Sequence, residues 1–152
     1  MPGAGIARGV SGVIHQATAV AIGGRALLIE GAPGSGKSAL ALALIDRGAT
    51  LIGDDGVTLA HKSGQLWAFP PPNISGKLEI RNVGLIDLPT TEAPVALVLR
   101  LDPCAPRHVE TADAIALCGA CVPMLRLYPD AGALPLRAEW ALRLHCPPDI
   151  PD

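Results

Sequence analysis

Along residues 13–55 the apolar positions change their period repeatedly, and each change predicts an element. Val13–Ile22 (VIHQATAVAI) is apolar or small at most positions and predicts a strand, closed by a Gly23-Gly24 hairpin turn. Arg25–Glu30 (RALLIE) is a short, nearly continuous apolar run, the pattern of a strand buried on both faces. Residues 31–36 carry three glycines and a proline and suit no regular structure. From Lys37 the sequence KSALALALIDRG is rich in Ala and Leu and predicts a helix, ended by Gly48 just past its last turn. ATLIGDD then reads as a further strand with Asp54 and Asp55 at its end.

The remainder is punctuated differently. GVTLAHKSGQLWAFP alternates around Ser63-Gly64 and predicts a β-hairpin, with Trp67 and Phe69 as core positions. PPPN at 70–73 breaks the chain, and GKLEIRNVGLIDL resumes in extended patterning. A polar connection follows Pro89, then APVALVLRLD as an apolar strand and VPMLRLYP as a late one. Helical spacing of Leu136, Trp140 and Leu144 in ALPLRAEWALRLH predicts a short closing helix.

Composition bounds the function. A chain of 152 residues, 49% hydrophobic and 17% charged, predicts one globular domain over 1–152, with residues 1–10 loosely ordered. A net charge of −2 gives no electrostatic footprint for nucleic acid. No apolar run reaches the roughly eighteen residues of a membrane span, so a cytoplasmic location is expected. The four cysteines (Cys104, Cys118, Cys121, Cys146) are read as buried or half-exposed thiols. Cys118-Gly-Ala-Cys121 has metal-ligand spacing, but a zinc ribbon needs a second such pair.

The chemistry lies in GAPGSGKS, which fits G-x-x-x-x-G-K-[ST] from Gly31 to Ser38 without a mismatch. Gly31, Gly34 and Gly36 let successive backbone N–H groups turn inward around phosphate oxygens, with Ala32, Pro33 and Ser35 between them. The helix N-terminus at Lys37, Ser38 and Ala39 adds its partial positive charge. Lys37 is placed to reach the β- and γ-phosphates, and the Ser38 hydroxyl to ligate Mg²⁺. Asp54 and Asp55 follow Lys37 by 17 and 18 residues, one helix and one return strand, so the strands before and after the helix are expected side by side and parallel. Both carboxylates then reach the phosphate, one for the metal and one as a base, although Asp-Asp-Gly is also good turn chemistry. Glu79 and Arg81, two apart on an extended segment, share a face as either a surface ion pair or a metal and phosphate contact.

The order His15, phosphate loop, Gly53-Asp54-Asp55, then LEIRNVG at 78–84 resembles the catalytic domain of the HPr kinase/phosphorylase family over roughly residues 10–130. The resemblance implies a P-loop α/β fold of the phosphoenolpyruvate carboxykinase-like type, a mixed β-sheet with few helices. It implies an ATP- and Mg²⁺-dependent kinase that phosphorylates a serine of HPr, the phosphocarrier of the sugar phosphotransferase system, and that reverses the reaction with phosphate. It also implies a homo-oligomer, often a hexamer. By position the family's active-site histidine falls on His15, its metal-binding serine on Ser38, its aspartate pair on Asp54 and Asp55, and its signature glutamate and arginine on Glu79 and Arg81. An arginine of a later loop aligns loosely with Arg126. The resemblance favours Asp55 as base, and Asp54 as partner of His15 or the metal. The chain departs from the family in three respects: its length matches the compact form without an N-terminal domain, Pro33 stands where serine is common, and the late loop and C-terminal helices are abbreviated. Two other readings share the phosphate loop: a small-molecule kinase of the shikimate or gluconate kind, whose helices and lid the strand-rich middle argues against, and a nucleotide-binding regulatory module without turnover.

Overall fold

The computed structural model describes residues 12–72, 76–130 and 132–147; the segment 1–10, expected to be loosely ordered, lies outside them. In chain order the elements are β1 (Val13–His15), β2 (Thr18–Ile22), β3 (Arg25–Gly31), α1 (Lys37–Asp46), β4 (Thr50–Gly53), β5 (Val57–Lys62), β6 (Gln65–Phe69), β7 (Lys77–Ile80), β8 (Gly84–Asp87), β9 (Ala93–Leu101), β10 (Asp113–Leu117), β11 (Ala120–Leu127) and α2 (Leu134–His145). The main mixed sheet runs β1-β5-β6-β9-β3-β2-β4. β11 joins it in parallel along the C-terminal half of β9, where Val98–Leu101 pair with Met124–Leu127. β6 pairs with β9 only at Ala93 and Pro94. β7 and β8 form a separate hairpin.

The expected strand over 13–22 is two strands. β1 pairs with β5, whereas β2 pairs with β3 and β4. Only Gln16 and Ala17 lie between them, so β1 and β2 must be close in space although four strands separate them along the sheet. The sheet therefore curls on itself. Its concave face buries Ala19, Ala26, Leu28, Ile52, Leu59, Val98 and Met124. The alternate residues Val20, Leu27, Ile29, Leu97 and Leu99 pack outward against Leu40 and Leu44 of α1 and Ala138 and Leu142 of α2. This two-sided burial is why β3 reads as an unbroken apolar run.

A second expectation is corrected at β4. It does not neighbour β3: β2 lies between them, antiparallel to both. The Gly23-Gly24 turn, with φ of 58° and 79°, returns β2 beside β3 before α1 is made, and that edge is no longer free. β4 runs in the same direction as β3 and still ends at the same side of the sheet.

α1 stops as its sequence predicts. Gly48 takes φ 113°, and the N–H groups of Ala49 and Gly48 donate to the carbonyls of Leu44 and Ile45. α2 forms where expected. Leu134, Ala138, Ala141 and Leu142 point inward, while Leu136, Trp140 and Leu144 are exposed. Both stripes have helical spacing, and the one with two alanines allows the closer approach to the sheet. β10 has no counterpart among the expected strands. Its turn into β11 is Cys118-Gly119, both at positive φ, so the CxxC spacing is that of a hairpin corner. Cys104, Cys118 and Cys121 are exposed rather than buried, and Cys146 is partly buried. No helix among the described residues is long and apolar enough to cross a membrane.

Candidate active site

β3 ends in the loop at 31–36, and the loop feeds directly into α1. Gly34 and Gly36 take φ of 79° and 104°, conformations that let the intervening N–H groups face inward. A Cβ on Gly31 would come within 2.5 Å of Ser35 Oγ, so only glycine closes the loop this tightly. Lys37 Nζ donates to the carbonyls of Gly31 at 2.9 Å and Ala32 at 3.5 Å, drawing the ammonium back over the loop. Ser35 Oγ is buried without a hydrogen-bond partner among the described residues.

The aspartate pair reaches this loop by a bend. β4 carries an extra residue against β2, since Ala19 pairs with Gly53 but Val20 with Leu51. Such a bulge re-aims the chain beyond it. Asp54 and Asp55 lie past the end of the strand rather than on it, and Asp55 is left-handed at φ 62°. Ser38 Oγ donates to Asp54 Oδ1 at 2.7 Å, joining the start of α1 to the end of β4. Thr18 Oγ1 donates to the same oxygen at 3.0 Å and accepts the Asp55 N–H at 3.2 Å. Asp54 is partly buried and Asp55 exposed.

No described hydrogen bond joins His15 to Asp54. His15 Nε2 lies 2.7 Å from Glu30 Oε2, and Arg100 Nε donates to Glu30 Oε1 at 2.9 Å. Glu30 and Arg100 pair across β3 and β9 and continue the concave face to its rim, where burial gives way to charge. The His15 hydrogen bond, helped by Arg100, holds the Glu30 carboxyl below its ordinary pKa despite partial burial. Because the carboxylate accepts, His15 Nε2 carries the proton in this bond. These three residues, with Gln16, Gly31, Leu101 and Asp102, line a cavity of about 530 Å³ beside the first glycine of the loop.

Other expected residues lie elsewhere. Glu79 is exposed on β7 and Arg81 follows the strand in its turn, so the two do not share a strand face. No described hydrogen bond joins either one to the loop. Arg126 lies on β11 rather than in a loop, with Nη1 donating to Asp113 at 3.2 Å and Nε 3.6 Å from Asp102. Thr18, Glu30 and Arg100 were not expected. The signal for Glu30 and Arg100 was a charge ending an otherwise apolar run; Thr18 offered none, being a common strand residue.

The family model described as HPr Serine kinase C-terminal domain matches residues 10–92. An HPr kinase/phosphorylase of Clostridium tetani is 45% identical over 67 residues, 44% of this chain and 22% of that protein. One of Mycoplasma mycoides is 32% identical over 107 residues, 65% of this chain and 34% of that protein. The matches thus span about a third or less of these relatives' own length. The solved Hpr(Ser) kinase/phosphatase from Coxiella burnetii superposes with a TM-score of 0.78 at 28% identity, covering 87% of this chain and 89% of that one. The fold is accordingly the one the resemblance implies, a P-loop-type domain built on a curled mixed sheet with two helices.

Proposed function

The chain belongs to the HPr serine kinase C-terminal domain family, and from that premise we propose that it is an ATP-dependent protein serine kinase acting on an HPr-like phosphocarrier. The observation that carries the proposal is the Ser38–Asp54–Thr18–Asp55 chain of hydrogen bonds, which ties the Asp54 carboxylate to the start of the helix after the phosphate loop and the Asp55 backbone to the same hydroxyl. The loop suits a polyphosphate. Its glycines free the backbone donors, and the buried Ser35 hydroxyl has no partner among the described residues.

In this reading residues 31–39 hold the phosphates of ATP, and Lys37 exchanges its carbonyl contacts for the β- and γ-phosphates. Ser38 and Asp54 would hold Mg²⁺, which would neutralise charge developing on the phosphoryl oxygens. Ser38 donates its proton to Asp54, leaving the serine oxygen's lone pairs for a cation. Exposed Asp55 accepts the proton of the serine hydroxyl as the new P–O bond forms and the bond to ADP breaks. His15, held by Glu30, lines the cavity beside the first glycine of the loop. Glu79, Arg81 and Arg126 remain part of the proposal through the resemblance alone, as do the reverse reaction with phosphate and homo-oligomeric assembly.

The test mixes the purified chain with Mg²⁺-ATP and the host's HPr-like protein and looks for phosphoserine. Phosphoserine is expected with the native chain and lost in Lys37→Ala, which stays folded but no longer binds Mg²⁺-ATP. Tight ATP binding without phosphoserine on any acceptor would favour a regulatory module instead, and unchanged ATP affinity in Lys37→Ala would remove the phosphate-loop assignment.

A further inference from the structure

We infer that Thr18 is the positioning residue of the aspartate pair: its hydroxyl fixes the bend that carries Asp54 and Asp55 and so sets which way each carboxylate faces. The kinetic consequence rests on the phosphoryl-transfer reading above, whereas the geometric part stands without it.

Thr18 opens β2 and is fully buried, one of two fully or nearly fully buried polar residues among those described. A hydroxyl in that position costs stability unless it is bonded. Thr18 is bonded in both senses. It donates to Asp54 Oδ1 and accepts from the Asp55 N–H, so its proton and its lone pair go to successive residues of the bend. Among the described side-chain hydrogen bonds, Thr18 alone touches both aspartates.

Each bond has a distinct effect. Asp54 Oδ1 receives Thr18 at 3.0 Å and Ser38 at 2.7 Å, which fills both of its lone-pair directions. Carboxylate rotation is thereby blocked, and Oδ2 is the oxygen left for a further partner. At Asp55 the bond holds the N–H of a non-glycine residue at φ 62°, a conformation aspartate tolerates but does not seek. The strand alone would not aim the pair. β4 has already ended at Gly53, and the bulge opposite Ala19 releases the chain from the ladder one residue from Thr18. Thr18 takes over there, tying the bend to the start of β2.

Thr18→Val keeps the shape and removes both bonds, and Thr18→Ser keeps both bonds and removes the methyl. With the HPr-like acceptor, Thr18→Val should lose about 10- to 100-fold in kcat, the scale of a displaced catalytic group, with the KM for Mg²⁺-ATP changed less than kcat. Its Asp55 amide should exchange hydrogen about tenfold faster or more, with the core of β3 unaffected. Thr18→Ser should restore both readings. Native kcat and exchange in Thr18→Val, or equal losses in Thr18→Ser, would overturn the inference. If Thr18→Val does not fold, Thr18→Cys, a weak donor of similar size, replaces it under the same criteria. Should the native chain transfer no phosphoryl group, the kinase reading fails, and Asp55 exchange alone decides: faster in Thr18→Val and native in Thr18→Ser supports the positioning role, and no difference refutes it.

Discussion

Asp55 and Asp54 are adjacent in sequence but occupy opposite surroundings, the first exposed and the second held by two hydroxyls. Asp55→Asn keeps the shape and removes the basic charge. It should leave ATP binding intact and slow phosphoryl transfer by about 10²- to 10⁴-fold, as for loss of a positioned base; a native rate in single-turnover phosphorylation would refute that role. Glu30 gives a pH signature. Its carboxyl is held below its ordinary value, chiefly by the His15 hydrogen bond, so its ionised form favours the folded state. That contribution is fully present above the unfolded carboxyl's pKa and fades as pH falls through the lowered folded value. Unfolding titrations should therefore show native and Glu30→Gln proteins converging in stability toward strongly acidic pH, with the native protein the more stable at neutral pH. At this scale the sequence was readable where residue type and spacing state the chemistry, as in Lys37 and Ser38. Thr18 was hidden because its role depends on which strand it faces across the sheet.

Among the elements, the β4 terminus is the most sharply constrained. A Cβ on Gly53 would collide with the Gly56 carbonyl and lie 2.9 Å from Pro71 Cδ, and backbone cannot move aside as a side chain can. Gly53→Ala should cost about 1–3 kcal/mol in denaturant unfolding, the usual scale of overpacking, and disturb the bend beyond it. Gly56→Ala, with nothing within 4 Å, is the control and should unfold like the native protein. Element types were largely legible, since α1, β3, the β5–β6 hairpin and β9 carry distinct periods and turn residues. Pairing was not. Nothing in Thr50–Gly53 states that β2 intervenes between β4 and β3, and nothing in Val13–Ile22 states that its halves join different partners. The buried face of α2 was not legible because two stripes satisfy the same period, and the choice between Trp140 and Ala138 is made by the surface it meets.

At the scale of the whole molecule, β9 is the strand on which the sheet converges. It pairs with β6 at its start, with β3 along one edge and with β11 at its end. Every one of those contacts with β3 joins residues more than sixty positions apart. During vectorial synthesis, then, β3 emerges with one edge unmatched and remains so until β9 leaves the ribosome. The stretch matched by the family model, residues 10–92, stops one position short of that strand. The matched stretch thus lacks the strand that completes the edge of β3. Residues 1–92 made alone should be insoluble or held by chaperones, and extension through Leu101 should not rescue them fully, because β11 still has to cover the far end of β9. Pulse-labelling of ribosome-bound chains would locate the onset of protease resistance. It is expected only after Leu127 has cleared the exit tunnel, and resistance in chains ending at residue 92 would show that the nucleotide half folds on its own.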